Sequence, residues 1–150
     1  NLQGDMPNIE PENIFKLNNL MKENDSGIGT LGAKIMNNNE MSDENIVKVK
    51  TKENLTEKNF LKSEDFFRIG NSDDNSNIYH HVGIYIFKPN FLKKYINFSR
   101  TKNEIERNLE QMRILDNNID INVGLSSSVP LSVDTEKELE KVRYLMSLKK

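Results

Sequence analysis

The sequence predicts a three-layer α/β domain on a mostly parallel sheet, with helices on both faces. Three observations carry this. Segments with apolar residues at helical spacing alternate with short apolar runs rich in β-branched and aromatic residues. Helix-start signals fall between those runs, at Pro11, Pro89 and the Thr135–Glu138 pair. The 150 residues suit one domain that buries most of the apolar surface its unfolded chain exposes.

In chain order, residues 1–7 read as a strand end turning into a loop at Gly4. Pro11 pre-sets the first helical residue, and Ile14, Leu17, Leu20 and Met21 continue the apolar face, giving a helix over 11–23. Residues 27–35, with Gly27, Gly29 and Gly32, read as a buried strand approached closely by another backbone. A polar loop spans 37–44, and 46–50 alternates like an exposed strand. Residues 51–79 give little signal beyond two apolar islands, Phe60-Leu61 and Phe66-Phe67. The region 45–70 is expected as an antiparallel excursion, and 71–77 as a turn on its Asn, Asp and Ser content. The clearest strand is 79–87. Pro89 opens a short helix through Ile96, and a longer helix is expected over 102–115 with Ile105, Leu109 and Met112 on one face. Residues 119–125 form a strand, and a last helix starts at Asp134 and carries Leu139, Val142 and Met146.

Composition removes several classes of function. Net charge is -2 with both signs interspersed, so there is no electrostatic footprint for nucleic acid or a membrane surface. An anionic substrate must be met by a few placed cations or by a metal. No cysteine is present, which removes disulfides, thiolate metal sites and cysteine nucleophiles, and fits a reducing, cytoplasmic setting. No apolar run approaches the roughly 20 residues that span a bilayer. The spacing of Gly27, Gly29 and Gly32 matches neither dinucleotide nor Walker loops.

The candidate residues each carry two readings. Asp5 follows Gly4 at a strand end, where open α/β sheets place ligands; it either holds a hard cation or serves the turn. Asp134 precedes a helix and serves either as its N-cap or, if it converges with Asp5, as a second carboxylate ligand. His81 and Tyr85 share one strand face, roughly 13 Å apart along an ideal strand, with Gly83 between them. They line a cleft or pack a sheet face. Glu110, Gln111 and Arg113 share the long helix, where Glu106, Glu110 and Arg113 would give a weak charge pair on a solvated face. Arg68 either meets a carboxylate in two-pronged fashion or is exposed.

Four segments together are more specific than any alone: Leu2-Gln3-Gly4-Asp5-Met6-Pro7, His81-Val82-Gly83-Ile84-Tyr85, Leu109-Glu110-Gln111-Met112-Arg113 and Val129-Pro130-Leu131-Ser132-Val133-Asp134-Thr135. In order and interval they resemble the 3-deoxy-manno-octulosonate cytidylyltransferases, or CMP-Kdo synthetases. The resemblance implies a nucleotide-diphospho-sugar transferase-like, Rossmann-like mixed sheet. It also implies transfer of CMP from CTP to the anomeric hydroxyl of Kdo, with release of pyrophosphate, for lipopolysaccharide synthesis. Mg²⁺ is the implied cofactor, held by Asp5 and Asp134 as catalytic metal ligands, and a cytoplasmic homodimer is the implied assembly. Gln3, His81, Tyr85, Glu110 and Gln111 match positions lining the sugar pocket. Arg68, in Phe66-Phe67-Arg68, resembles a family segment whose arginine meets the sugar acid.

There are departures. Met6 stands where the family often has Glu, His80 where Arg is common, and Phe67 where Ser is usual. The family's Pro-Ala-Arg segment, which binds the CTP phosphates, is not in this sequence. Residues 1–150 are therefore expected as a single cytidylyltransferase-like domain, the C-terminal portion of a longer chain, that alone binds CTP poorly. Two alternatives stay open: a cytidylyltransferase for another acidic sugar such as a sialic acid, and a non-catalytic α/β interaction domain.

Overall fold

The computed structural model describes residues 1–69, 76–133 and 135–148. It contains strands β1 (Ile28–Lys34), β2 (Lys48–Thr51), β3 (Phe60–Phe67), β4 (Ile78–Phe87) and β5 (Asn122–Leu125). The helices are α1 (Pro11–Glu23), α2 (Asn38–Ser42), α3 (Pro89–Tyr95), α4 (Lys102–Arg107), α5 (Met112–Asp116) and α6 (Glu136–Ser147). The strands close into a ring in the order β1-β4-β2-β3-β5. The sheet is mixed. Only β1 and β5 run parallel among these pairs; β1–β4, β4–β2, β2–β3 and β3–β5 are antiparallel. The mostly parallel sheet expected from alternation is thus corrected. The segment between β1 and β4 returns through antiparallel pairs instead of helical crossovers, and the expected excursion at 45–70 is the β2–β3 pair.

Helices cover this sheet on two sides. Helix α1 begins at Pro11 as expected and buries Leu17, Leu20 and Met21 against Leu31, Phe60, Val82 and Ile84. Gly29 makes that contact possible: a Cβ there would lie 2.5 Å from Met21 Sδ and 2.6 Å from Phe60 Cζ. The second core joins Val49, Phe66 and Val123 to Leu109, Met112 and Ile114. Helix α6 starts with a capping box between Thr135 and Glu138, as the Thr-x-x-Glu spacing implies. It buries only Val142; Met146 is exposed.

Three local expectations are corrected. The single helix over 102–115 is two, because Asn108 takes a left-handed conformation (φ 52°) that asparagine tolerates. The break turns Leu109 and Gln111 inward, leaves Ile105 exposed and dissolves the supposed charge pair. Arg113 instead pairs with buried Glu104, which also accepts from Arg100 Nε and the Thr101 backbone N–H. These bonds hold the Glu104 carboxyl below its usual range, the Arg113 bond most of all. They also tie α4 to α5 across the 108–111 turn. Residues 37–44, expected as loop, contain α2, with Asn37 accepting from the Asn39 N–H. Residues 60–67, expected only as apolar islands, form one strand.

Candidate active site

A cavity of about 730 Å³ opens where β4, the 108–111 turn and the residue 1–6 and 129–135 segments meet. Gln3, Asp5, Arg68 and His81 line it. So do Tyr85, Glu110 and Gln111, from the break between α4 and α5 and from β4. Seven of the eight residues matched to the family's metal and sugar positions therefore line one cavity. Asp134 lies outside the described residues, although Ser132 and Thr135 on either side of it line the same cavity.

The first residues reach the site without forming a regular strand. Asn1 and Tyr85 exchange backbone hydrogen bonds, at 2.6 Å from Asn1 N to Tyr85 O and 3.0 Å in return. This lays the Gln3 amide and the Met6 methyl over Gly83, where a Cβ would sit 3.4 Å and 3.2 Å from them. The space beside Gly83 is filled from within the chain. Asp5 then anchors the 129–133 segment: its backbone O accepts from Val133 N at 2.9 Å, and its Oδ2 from Ser132 Oγ at 3.2 Å. Asp5 Oδ1 is sealed from solvent and has no hydrogen-bond partner among the described residues. A buried carboxylate oxygen left in this way is costly unless a ligand completes it.

His81 and Tyr85 come closer than an ideal strand allows. Their ring centroids lie 5.5 Å apart, and His81 also meets Phe66 edge-on at 5.1 Å. The cause is a bulge. From Gly29 to Leu31 the register steps two residues, while from Ile86 to Val82 it steps four, so β4 is shortened and re-aimed there. Burial pushes the Tyr85 hydroxyl well above the usual phenol range, with the nearby Glu110 carboxylate adding to it. The hydroxyl stays protonated, and its Oη is a second buried polar atom without a partner among the described residues.

Arg68 follows β3, with Nη1 donating to the Glu44 and Asn45 carbonyls at 3.1 Å each. Beneath it lies Lys48, a residue sequence reasoning passed over. Its side chain is fully buried, and Nζ donates to the carbonyls of Asp43 (2.6 Å), Ile46 (2.9 Å) and Arg68. Burial holds its pKa below the usual lysine value. The local sequence carried no signal for it: alternation in Ile46-Val47-Lys48-Val49-Lys50 puts both lysines on one face and both valines on the other, as in an exposed strand. Two cations thereby clasp the 43–46 loop and Arg68 together at the cavity rim. Lys48→Met leaves three carbonyls without their donor and is expected to destabilise the fold by about 2 kcal/mol, read as a lower urea midpoint at unchanged m. An unchanged midpoint would show that water replaces the ammonium there.

Among the described residues no three Asp, Glu or His side chains converge as a ready-made metal cage. His80 Nδ1 pairs with Glu40 on α2 at 3.0 Å, whereas His81 Nε2 lies 3.1 Å from Thr30 Oγ1, so the two histidines do not form a metal pair.

Comparison with known proteins identifies the family of the chain. A family model described as cytidylyltransferase matches residues 1–121. The chain is 34% identical over 147 residues to the 3-deoxy-manno-octulosonate cytidylyltransferase of Bartonella tribocorum, covering 98% of this chain and 60% of that protein. The enzyme of the same name from Chelativorans sp. is 34% identical over 152 residues, covering 98% and 59%. A solved structure of CMP:2-keto-3-deoxy-manno-octonic acid synthetase complexed with CTP superposes with a TM-score of 0.87 at 28% identity, over all of this chain and 61% of that one. The chain thus spans about 60% of the length of the relatives it matches. A match over residues 1–121 of 150 carries the assignment: the chain belongs to the cytidylyltransferase family.

Proposed function

We propose that this chain carries the sugar-acid pocket and the metal-ligating carboxylate of a 3-deoxy-manno-octulosonate cytidylyltransferase. The observation that carries the reading is a cavity lined by Asp5 and Tyr85, each with one buried polar atom that has no partner among the described residues, the acceptor Asp5 Oδ1 and the donor Tyr85 Oη. In the reaction the anomeric hydroxyl of the sugar acid bonds to the α-phosphorus of CTP. The bond from that phosphorus to the bridging oxygen breaks, pyrophosphate leaves, and the hydroxyl proton passes to solvent or buffer.

The residues divide the work. Arg68 and the Tyr85 hydroxyl are donors suited to the sugar carboxylate, and Arg68 is held at the rim by the 43–46 loop. Gln3, His81, Glu110 and Gln111 offer hydrogen bonds to sugar hydroxyls. The orphaned Oδ1 fits one ligand position of a hard divalent cation, and such ions bind through one or two carboxylates plus substrate phosphates. Asp5 and Asp134 would hold Mg²⁺, which when bound supplies charge neutralisation at the phosphate oxygens. The reading carries with it a cytoplasmic homodimer serving lipopolysaccharide synthesis; no helix among the described residues is long and apolar enough to cross a membrane.

Pyrophosphate release with CTP, Kdo and Mg²⁺, measured on the full-length natural protein, tests this. Kdo-dependent release is expected there, and only background release from residues 1–150 alone. Release with a different sugar acid but not Kdo would move the assignment to a sister enzyme. Silence with every sugar acid from a folded protein would favour a non-catalytic role.

A further inference from the structure

The bulge in β4 sits opposite a residue that the proposed chemistry leaves unused. Thr30 is fully buried on β1, at the one register position that faces the extra residues of β4. Its Oγ1 lies 2.7 Å from the Ile84 carbonyl, 3.1 Å from the Val82 carbonyl and 3.1 Å from His81 Nε2. A hydroxyl has one proton and accepts through its lone pairs. Were that proton given to His81, two carbonyl oxygens would face a third oxygen with nothing between them. The proton therefore goes to the carbonyls, with Ile84 the nearer, and Oγ1 meets His81 as an acceptor. Nε2 then carries the imidazole hydrogen, and Nδ1 carries the lone pair.

The surroundings hold this arrangement. Phe66 stands edge-on to the imidazole and Tyr85 lies tilted beside it, so the ring is bracketed. Burial, with a smaller push from His80, drives the His81 pKa down to about 3. His81 Nδ1 has no hydrogen-bond partner among the described residues, and His81 lines the cavity. We propose that Thr30 is a positioning residue that fixes His81 as its Nε2–H tautomer, so that Nδ1 accepts a hydrogen bond from a hydroxyl of the bound sugar acid. The acceptor role rests on the sugar-acid reading of the cavity; the tautomer does not.

The test is ring-nitrogen NMR of ¹⁵N-histidine-labelled full-length protein, with His81→Gln to identify the His81 signals. The expected spectrum has a pyridine-like Nδ1 and a pyrrole-like Nε2. Thr30→Val keeps the shape and removes the hydroxyl. It is expected to shift His81 toward the Nδ1–H form and to raise KM for Kdo roughly tenfold, the scale of one lost hydrogen bond, with kcat little changed. Thr30→Ser restores both signals. A pyridine-like Nε2 in the parent protein overturns the proposal, and so does a Thr30→Val variant with parental shifts and KM. Should Thr30→Val not fold, the parent and Thr30→Ser spectra still decide: both must show the Nε2–H pattern. An Nε2–H pattern in a protein that turns over no sugar acid leaves the tautomer standing and removes the proposed function.

Discussion

Asp5→Asn is expected to lower CMP transfer by about a thousandfold, the worth of several kcal/mol of lost metal-held charge stabilisation, while leaving the fold at least as stable as the parent. The two halves follow from the two oxygens of one carboxylate. Oδ2 accepts from Ser132 Oγ and ties the 129–133 segment to the turn at Gly4; an asparagine oxygen does the same. Oδ1 is sealed from water with no partner among the described residues. Folding gains nothing from that oxygen, and removing its charge relieves a desolvated group. A ligand that fills the gap makes the oxygen indispensable. The pair of measurements is kcat/KM for Kdo-dependent pyrophosphate release and the urea midpoint, on the same full-length preparation. Activity lost at unchanged midpoint fits the metal role. Activity retained would make Asp5 a turn residue, and activity lost with the fold would make it an anchor for Ser132 and Val133 alone.

What the sequence shows plainly here is what depends on near neighbours. Helix α1 announces itself through Pro11 and four apolar positions, and α6 through Thr135 and Glu138, three residues apart. Strand β4 shows itself through β-branched and aromatic residues over 79–87. Distant pairing is what stays hidden. The two-against-four step in β4 lies opposite Thr30, about fifty residues away, and this step brings His81 and Tyr85 together. Strand β3 is illegible because only Phe60 and Phe66 are buried, while Lys62 and Glu64 face solvent. The helix break at Asn108 is hidden because Ile105, Leu109 and Met112 keep helical spacing across it. Its benefit is tertiary, since it turns Leu109 and Gln111 inward. The candidate site residues other than Arg68 fall in four short segments that carry a family resemblance. The residues that hold them, Thr30, Lys48 and Glu104, belong to no such segment.

Acid is expected to destabilise this fold through His81 in a window that opens above the carboxylate range. In the unfolded chain the imidazole has its ordinary pKa of 6.5; in the folded protein burial brings it to about 3. Above pH 6.5 neither state holds the proton, and stability is at its full value. As pH falls below 6.5 the unfolded chain takes up a proton that the folded protein refuses, so stability declines until about pH 3 and then levels. At 1.36 kcal/mol per pH unit the loss is about 2 kcal/mol at pH 5 and on the order of 4 kcal/mol by pH 3. These are upper values, because the ring keeps an edge on the cavity and water there solvates part of an imidazolium. The groups around the ring oppose its protonation or ignore it. His80 adds positive charge and is itself engaged with Glu40, Thr30 offers one hydroxyl, and the Tyr85 phenol remains neutral. His81→Gln removes the titrating group and keeps an amide N–H for Thr30. The drop in urea-unfolding free energy between pH 7.5 and pH 5 should therefore shrink by up to about 2 kcal/mol in the variant, while carboxylate contributions common to both proteins cancel. An equal drop in the two proteins means that His81 takes its proton in the folded state. The cavity wall would then be wet enough to carry a cation beside the sugar site, and Nδ1 would be a donor to the substrate instead of an acceptor.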